Sequence, residues 1–218
     1  ANYTSAIRLE CTRVVSCNTT SILRTLGSLN RAGLLKNARG TLLRRATDPW
    51  ESHLNGIMNT LVPEQHIPSH QGPYAQTVIP DLDLVTMAIK VPETLSHLHS
   101  WVIRLTRKAD KEEILQAFRK SSRIAFINYG DGLQANNTVK ELMLEKGRPR
   151  GDMYEVALWQ DTLSVINDEL FYSYIVDNQA IVIPENIDAI RALSGTKKNV
   201  TESIATTNKS LGIANNFI

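Results

Sequence analysis

"YEVALWQDTLSVINDELFYSYIV", residues 154–176, decides the fold class. Two β-rich runs, YEVALWQ and SVINDELFYSYIV, follow each other with no helix between them, so they read as adjacent antiparallel strands. Upstream, LVTMAIKVP (84–92) and LHSWVIRLTR (98–107) repeat the arrangement, and RIAFINYG (123–130) adds another strand. Asp110 and Glu113 form an Asp-x-x-Glu capping pair ahead of Ile114, Ala117 and Phe118, which predicts a helix over 111–120. TVKELMLEKG (138–147) reads as a short helix, and PENIDAIRAL opens a further one with Pro184 near its start. Strands that follow one another directly argue for an α+β fold with a mostly antiparallel sheet covered by helices, not a doubly wound one. Residues 1–195 are expected to form that domain, and 196–218 a polar C-terminal helix or tail.

Nearer the start, Arg13–Val15 reads as the end of a short strand and Ala38–Pro49 as a strand that delivers polar residues at its far end. Residues 49–83 carry four prolines after the first and hold no period. A stretch of that length points to a subunit interface or a site lining. No internal repeat is present, and no G-x-G-x-x-G follows a strand, so a Rossmann-type dinucleotide unit is absent from this sequence.

With 42% hydrophobic and 21% charged residues the composition is that of an ordinary globular domain. A net charge of +2 makes no case for nucleic acid or an acidic membrane surface, and no run is long enough to span a bilayer. Two cysteines, Cys11 and Cys17, are too few for a disulfide framework, so a reducing cytoplasm is the expected setting. No metal is expected.

The chemistry concentrates in a few segments. In VVSCNTTSILRTLGSLNRAG (14–33), Ser16, Asn18 and Thr19 are capping types, and Ile22, Leu23, Leu26 and Leu29 then recur at helical spacing up to Gly33, a left-handed cap. Cys17 therefore sits at a helix N-terminus, where unpaired N–H groups and the dipole favour thiolate. The alternative is a buried cysteine acting as a small hydrophobe. In LSHLHSW (95–101), between two predicted strands, His97 and His99 face the same side at period two. RRATDP (44–49) places Arg44 and Arg45 ahead of Thr47, the parts that hold a phosphate, or else a solvated strand end. IPSHQGPY (67–74) adds Ser69, His70 and Gln71 in a loop between prolines.

In their order, VVSCNTT, RRATDP, VPEQHIPSHQGP, LSHLH, GDMYEVALWQD and VIPENIDAIRA resemble the catalytic half of archaeal-type glyceraldehyde-3-phosphate dehydrogenases, over about residues 13–213. SCNTT separates the sequence from the bacterial and eukaryotic enzymes, which read Ser-Cys-Thr-Thr-Asn there. The resemblance implies Cys17 as the nucleophile toward glyceraldehyde 3-phosphate. It implies His97 as the residue that lowers the thiol pKa by ion pairing and takes the hydroxyl proton. Hydride passes to NADP or NAD, and inorganic phosphate cleaves the resulting thioester. Arg44, Arg45, Thr47 and His70 fall where the family binds phosphates, Thr19 and Thr20 lie beside the nucleophile, and Asn178 and Asn18 fall toward the nicotinamide. The sequence departs from the family at DNQAI (177–181), where the family usually reads His-Gln-Glu-Ser-Asp, so Asn178 stands at a glutamine position. The family's N-terminal Rossmann domain is not in this sequence. The chain is thus expected to be inactive alone, with segment 196–213 lacking its docking surface and a homotetramer implied for the whole enzyme. A related semialdehyde or acyl-phosphate dehydrogenase domain, or a non-catalytic assembly domain, are the competing readings.

Overall fold

The computed structural model describes residues 2–46 and 59–218. Strand β4 (His97–Leu105) sets the orientation of the sheet. Its side chains alternate: His97, His99, Trp101, Ile103 and Leu105 are buried on one face, while Ser100, Val102 and Arg104 are exposed on the other. On either side of β4, antiparallel to it, run β1 (Leu35–Arg45) and β8 (Glu169–Val176). Beyond β1 come β3 (Leu84–Val91), parallel, and the short β2 (Val62–Pro63). Beyond β8 come β6 (Val156–Trp159), antiparallel, and β5 (Ile124–Ile127), parallel to β6. The order is β2-β3-β1-β4-β8-β6-β5, with β7 (Ser164–Ile166) paired to β8. This is the expected α+β fold with a mostly antiparallel sheet, and the described residues contain no Rossmann-type unit.

Helix α1 (Cys17–Arg31) lies over β1 and β8 and packs on α2 (Gln71–Gln76) and α3 (Lys111–Arg119). Its Ile22, Leu26 and Leu29 meet Leu42, Trp101, Phe118 and Tyr172 in the larger core. Among the described residues the other face is covered near β5 and β6, where Val139 and Met143 of α4 (Asn136–Glu145) pack on Ile127, Ala157, Trp159 and Ile175. Burial on both faces explains why IAFI and VALW read as unbroken apolar runs. Around β1, β3 and β4 no described helix covers that second face, and Met87 is 43% and Val102 38% exposed.

Four local expectations are corrected. SVINDELFYSYIV is a hairpin, not one strand: β7 turns into β8 at Asn167–Asp168, with Asn167 at φ 57°. Asparagine tolerates that left-handed conformation, which the surrounding β-formers masked. Arg13–Val15 is not in a strand, because no described segment pairs with it; the Arg13 guanidinium lies 4.8 Å from the Tyr74 ring centre instead. Within 49–83, β2 and α2 are regular, and buried Thr86 pins α2 by accepting the Ser69 hydroxyl and the Gly72 N–H. At the C-terminus, α5 (Ile183–Ser194) receives α6 (Val200–Leu211) through Ser203 and Thr207 hydroxyls, each donating to Asp188 at 2.7 Å. Phe217 then buries itself in the smaller core. The segment at 196–213 therefore has a docking surface within this domain.

Candidate functional site

Four element ends meet at one end of the sheet. The far end of β1 supplies Arg44 and Arg45, and β4 begins at His97. Val176 of β8 pairs with His97, and the chain continues into Asp177 and Asn178. Helix α1 begins at Cys17, with Ser16 as its extended N-cap. LSHLHSW is thus the start of β4 and not a link between strands.

Cys17 Sγ lies 3.5 Å from His97 Nε2. The backbone N–H of Arg45 donates to His97 Nδ1 at 2.9 Å. A neutral ring whose Nδ1 accepts carries its proton on Nε2, so His97 presents an N–H to the sulfur. An imidazolium would set a second N–H against the Arg45 amide. Accordingly the pKa of His97 is pushed down to about 3, first by burial and then by Arg44 and Arg45, with Asp177 opposing. Burial also raises the Cys17 thiol above its ordinary value, outweighing the Asn18 and Cys17 backbone N–H groups and the two arginines that lower it. Burial thus works against the expected thiolate–imidazolium pair, raising the thiol and lowering the imidazole by more than the helix start and arginines offset at the sulfur.

The predicted anion residues are already engaged. Arg44 pairs with Glu64, and His70 Nδ1 lies 4.0 Å from the same carboxylate. The Arg45 guanidinium donates to the Thr94 carbonyl at 2.7 Å. Thr47 lies outside the described residues. Thr19 and Thr20 are buried: the Thr19 hydroxyl is 3.1 Å from that of Ser16, and Thr20 donates to the Val15 carbonyl at 3.4 Å. Asn178 Oδ1 is buried and has no hydrogen-bond partner among the described residues. Buried acceptors are rarely left so, which fits a ligand amide donating there.

Some site residues were not legible. Glu64 lies in the quoted VPEQH, yet only the fold shows that it faces Arg44. Asp177 caps the turn after β8 by accepting the Gln179 and Ala180 N–H groups and pairs with Lys140 at 2.8 Å. His99 was visible as a partner in facing, but its neighbours Tyr174 and Ser21 come from distant segments.

This geometry defines a class: an α+β domain that presents a helix-start cysteine to an imidazole, with arginines at the adjoining strand end. Comparison with known proteins narrows it. The family model described as "Glyceraldehyde 3-phosphate dehydrogenase, C-terminal domain" matches residues 16–162, and the chain belongs to that family. Among relatives named glyceraldehyde-3-phosphate dehydrogenase, that of Metallosphaera sedula is 41% identical over 100% of this chain and 64% of its own length. That of Pyrobaculum calidifontis is 44% identical over 97% of this chain and 61% of its own. That of Methanobrevibacter smithii is 39% identical over 98% and 63%. The chain thus spans less than two thirds of each relative's length.

Proposed function

We propose that the chain is the catalytic part of a phosphorylating glyceraldehyde-3-phosphate dehydrogenase of the archaeal type. The observation that carries this is the Cys17–His97 contact at 3.5 Å, set at a helix start beside Arg44 and Arg45. Cys17 sulfur adds to the aldehyde carbon, and its proton ends on the new hydroxyl. The Nε2 proton of His97 supports the developing oxygen, together with backbone N–H groups at the helix start. As the thiohemiacetal is oxidised to a thioester, the hydroxyl proton must leave. His97 takes it in the tautomer whose Nε2 is bare, which costs the Arg45 hydrogen bond, about 1–3 kcal/mol. Inorganic phosphate then attacks the thioester carbon, releasing 1,3-bisphosphoglycerate and the Cys17 thiolate.

When bound, a nicotinamide cofactor, NADP or NAD, supplies the hydride acceptor. Asn178, with its unpartnered oxygen, would hold the nicotinamide amide, with Asn18 on the nucleophile's side. Arg44, Arg45, Thr47 and His70 would receive the two phosphates, Arg44 after exchanging Glu64 for the anion. A separate Rossmann domain of the same protein would carry the rest of the cofactor. A homotetramer assembled through the open face of this sheet, where Met87 and Val102 are exposed between polar neighbours, is the assembly proposed. No described helix is long and apolar enough to cross a membrane, and the cytoplasm is the setting proposed.

The test is phosphate-dependent reduction of NADP or NAD by the full-length protein with glyceraldehyde 3-phosphate. Cys17→Ala should lower turnover on the order of 10⁴-fold or more. The chain restricted to these 218 residues should show none. Preference for an unphosphorylated semialdehyde would overturn the substrate assignment.

A further inference from the structure

Beneath the first turn of α1 lies a set of polar side chains of which the proposed chemistry uses only Asn18. His99 is fully buried, and so are Tyr174 and Ser21, while Asn18 is 3% exposed. His99 Nε2 is 2.8 Å from Asn18 Oδ1, and His99 Nδ1 is 2.8 Å from the Tyr174 hydroxyl. That hydroxyl oxygen also lies 3.1 Å from Ser21 Oγ, which gives its one proton to the Asn18 carbonyl at 2.8 Å, so no proton bridges the two hydroxyl oxygens.

The directions of these bonds follow from the atoms. An amide oxygen only accepts, so His99 donates through Nε2. Its Nδ1 must then accept, so Tyr174 donates to it. Each proton has one place, and the ring is held neutral between an acceptor and a donor. Leucine and phenylalanine would fill such a space more simply, because buried polar groups cost stability unless fully paired. Asn18 follows the nucleophile directly, and its backbone N–H is one of the groups that favour the Cys17 thiolate. Its side-chain oxygen is committed inward, and its Nδ2 makes no hydrogen bond among the described residues.

We propose that His99, itself fixed by Tyr174, is a positioning residue that holds the Asn18 amide with its oxygen inward and its Nδ2 free as a donor beside Cys17. The donor role toward the substrate oxygen rests on the dehydrogenase reading; the hold on the first turn of α1, and so on Cys17 reactivity, does not. Two amide substitutions separate positioning from bulk. His99→Gln keeps an N–H near the Nε2 position, facing Asn18. His99→Asn keeps a group for Tyr174 but withdraws the donor from Asn18.

The readout is alkylation by iodoacetamide across pH in the full-length protein, followed by mass spectrometry of the peptide that carries Cys17. His99→Asn should slow alkylation at pH 7.5 about tenfold, with the profile moved up by about one pH unit. His99→Gln should stay within about threefold of the parent. Tyr174→Phe removes one oxygen, and by loosening the ring it should slow alkylation about threefold. Equal shifts for the Gln and Asn variants, or an unchanged profile in Tyr174→Phe, would overturn the proposal. Alkylation needs no substrate, so the parent's aldehyde oxidation, assayed separately, tells failure of the dehydrogenase reading from failure of this one. In active protein, His99→Asn should lower kcat at least fivefold more than it raises KM, on the order of one misplaced hydrogen bond.

Discussion

Cys17 shows that a helix start does not by itself make a thiolate. Two backbone N–H groups and two guanidinium groups favour ionisation, yet burial outweighs them and the thiol stays above its ordinary pKa. The charge nearest to tipping this balance is Glu64, which pairs with Arg44 and so reduces the positive field at the sulfur. Glu64→Gln should therefore lower the Cys17 pKa, and Arg44→Gln should raise it. Each shift is about half a pH unit, or roughly threefold in alkylation rate near neutrality. Iodoacetamide labelling of the Cys17 peptide at several pH values checks the pair, and shifts of the same sign in both would contradict the field argument. His97 should add no limb of its own above pH 5, since its pKa lies at about 3.

At the scale of elements, one close approach fixes how β1 and β4 pack. Gly40 pairs with Trp101, and a Cβ at Gly40 would stand 2.5 Å from the indole ring. A side chain at residue 40 would have to displace Trp101, which is 2% exposed and part of the main core. Gly40→Ala should thus cost about 1–3 kcal/mol or more despite alanine's lower chain entropy, visible in the urea midpoint. Gly40 stood inside a strand pattern, so the strand was readable and its tryptophan neighbour was not. The same division runs through the molecule. Periodicity and caps placed β3, β4, α1 and α3, and Asp110 does accept the Glu113 N–H at 2.8 Å. The hairpin at Asn167–Asp168 was lost because its turn is two residues long between strong β-formers. In α1, Ile22, Leu26 and Leu29 were readable as core, but Asn18, Ser21, Thr25 and Ser28 are buried too. That helix is enclosed by the sheet, α2 and α3, so its polar residues pair inside the protein. Sequence motifs brought Cys17, His97 and the arginines into one reading; which of them already have partners depends on contacts between distant residues, such as Cys17 with His97, 80 apart, and Arg45 with Thr94, 49 apart.

Across the whole molecule, the same buried histidines tie stability to pH. His97 has its pKa lowered to about 3 by burial, Arg44 and Arg45, and His99 lies well below 6.5 because of burial, His97 and Arg44. In the unfolded chain both return to about 6.5. Between those values the unfolded state binds protons that the folded state refuses, so stability rises with pH there. The contribution is fully present above pH 6.5 and is lost progressively as pH falls toward 3. From pH 7 to 5.5, each histidine should remove roughly 1 kcal/mol, a figure set by the unfolded value because the folded ring stays neutral throughout. Urea denaturation of the protein at pH 5.5, 6.3 and 7 spans the range in which the unfolded imidazoles take up protons. The expected fall is about 2 kcal/mol, cut to about half in His99→Asn, which leaves one buried imidazole in place. A flat profile over that window would mean that the two rings accept protons in the folded state. The neutral Cys17–His97 pair and the assigned protons around His99 would both fail with it.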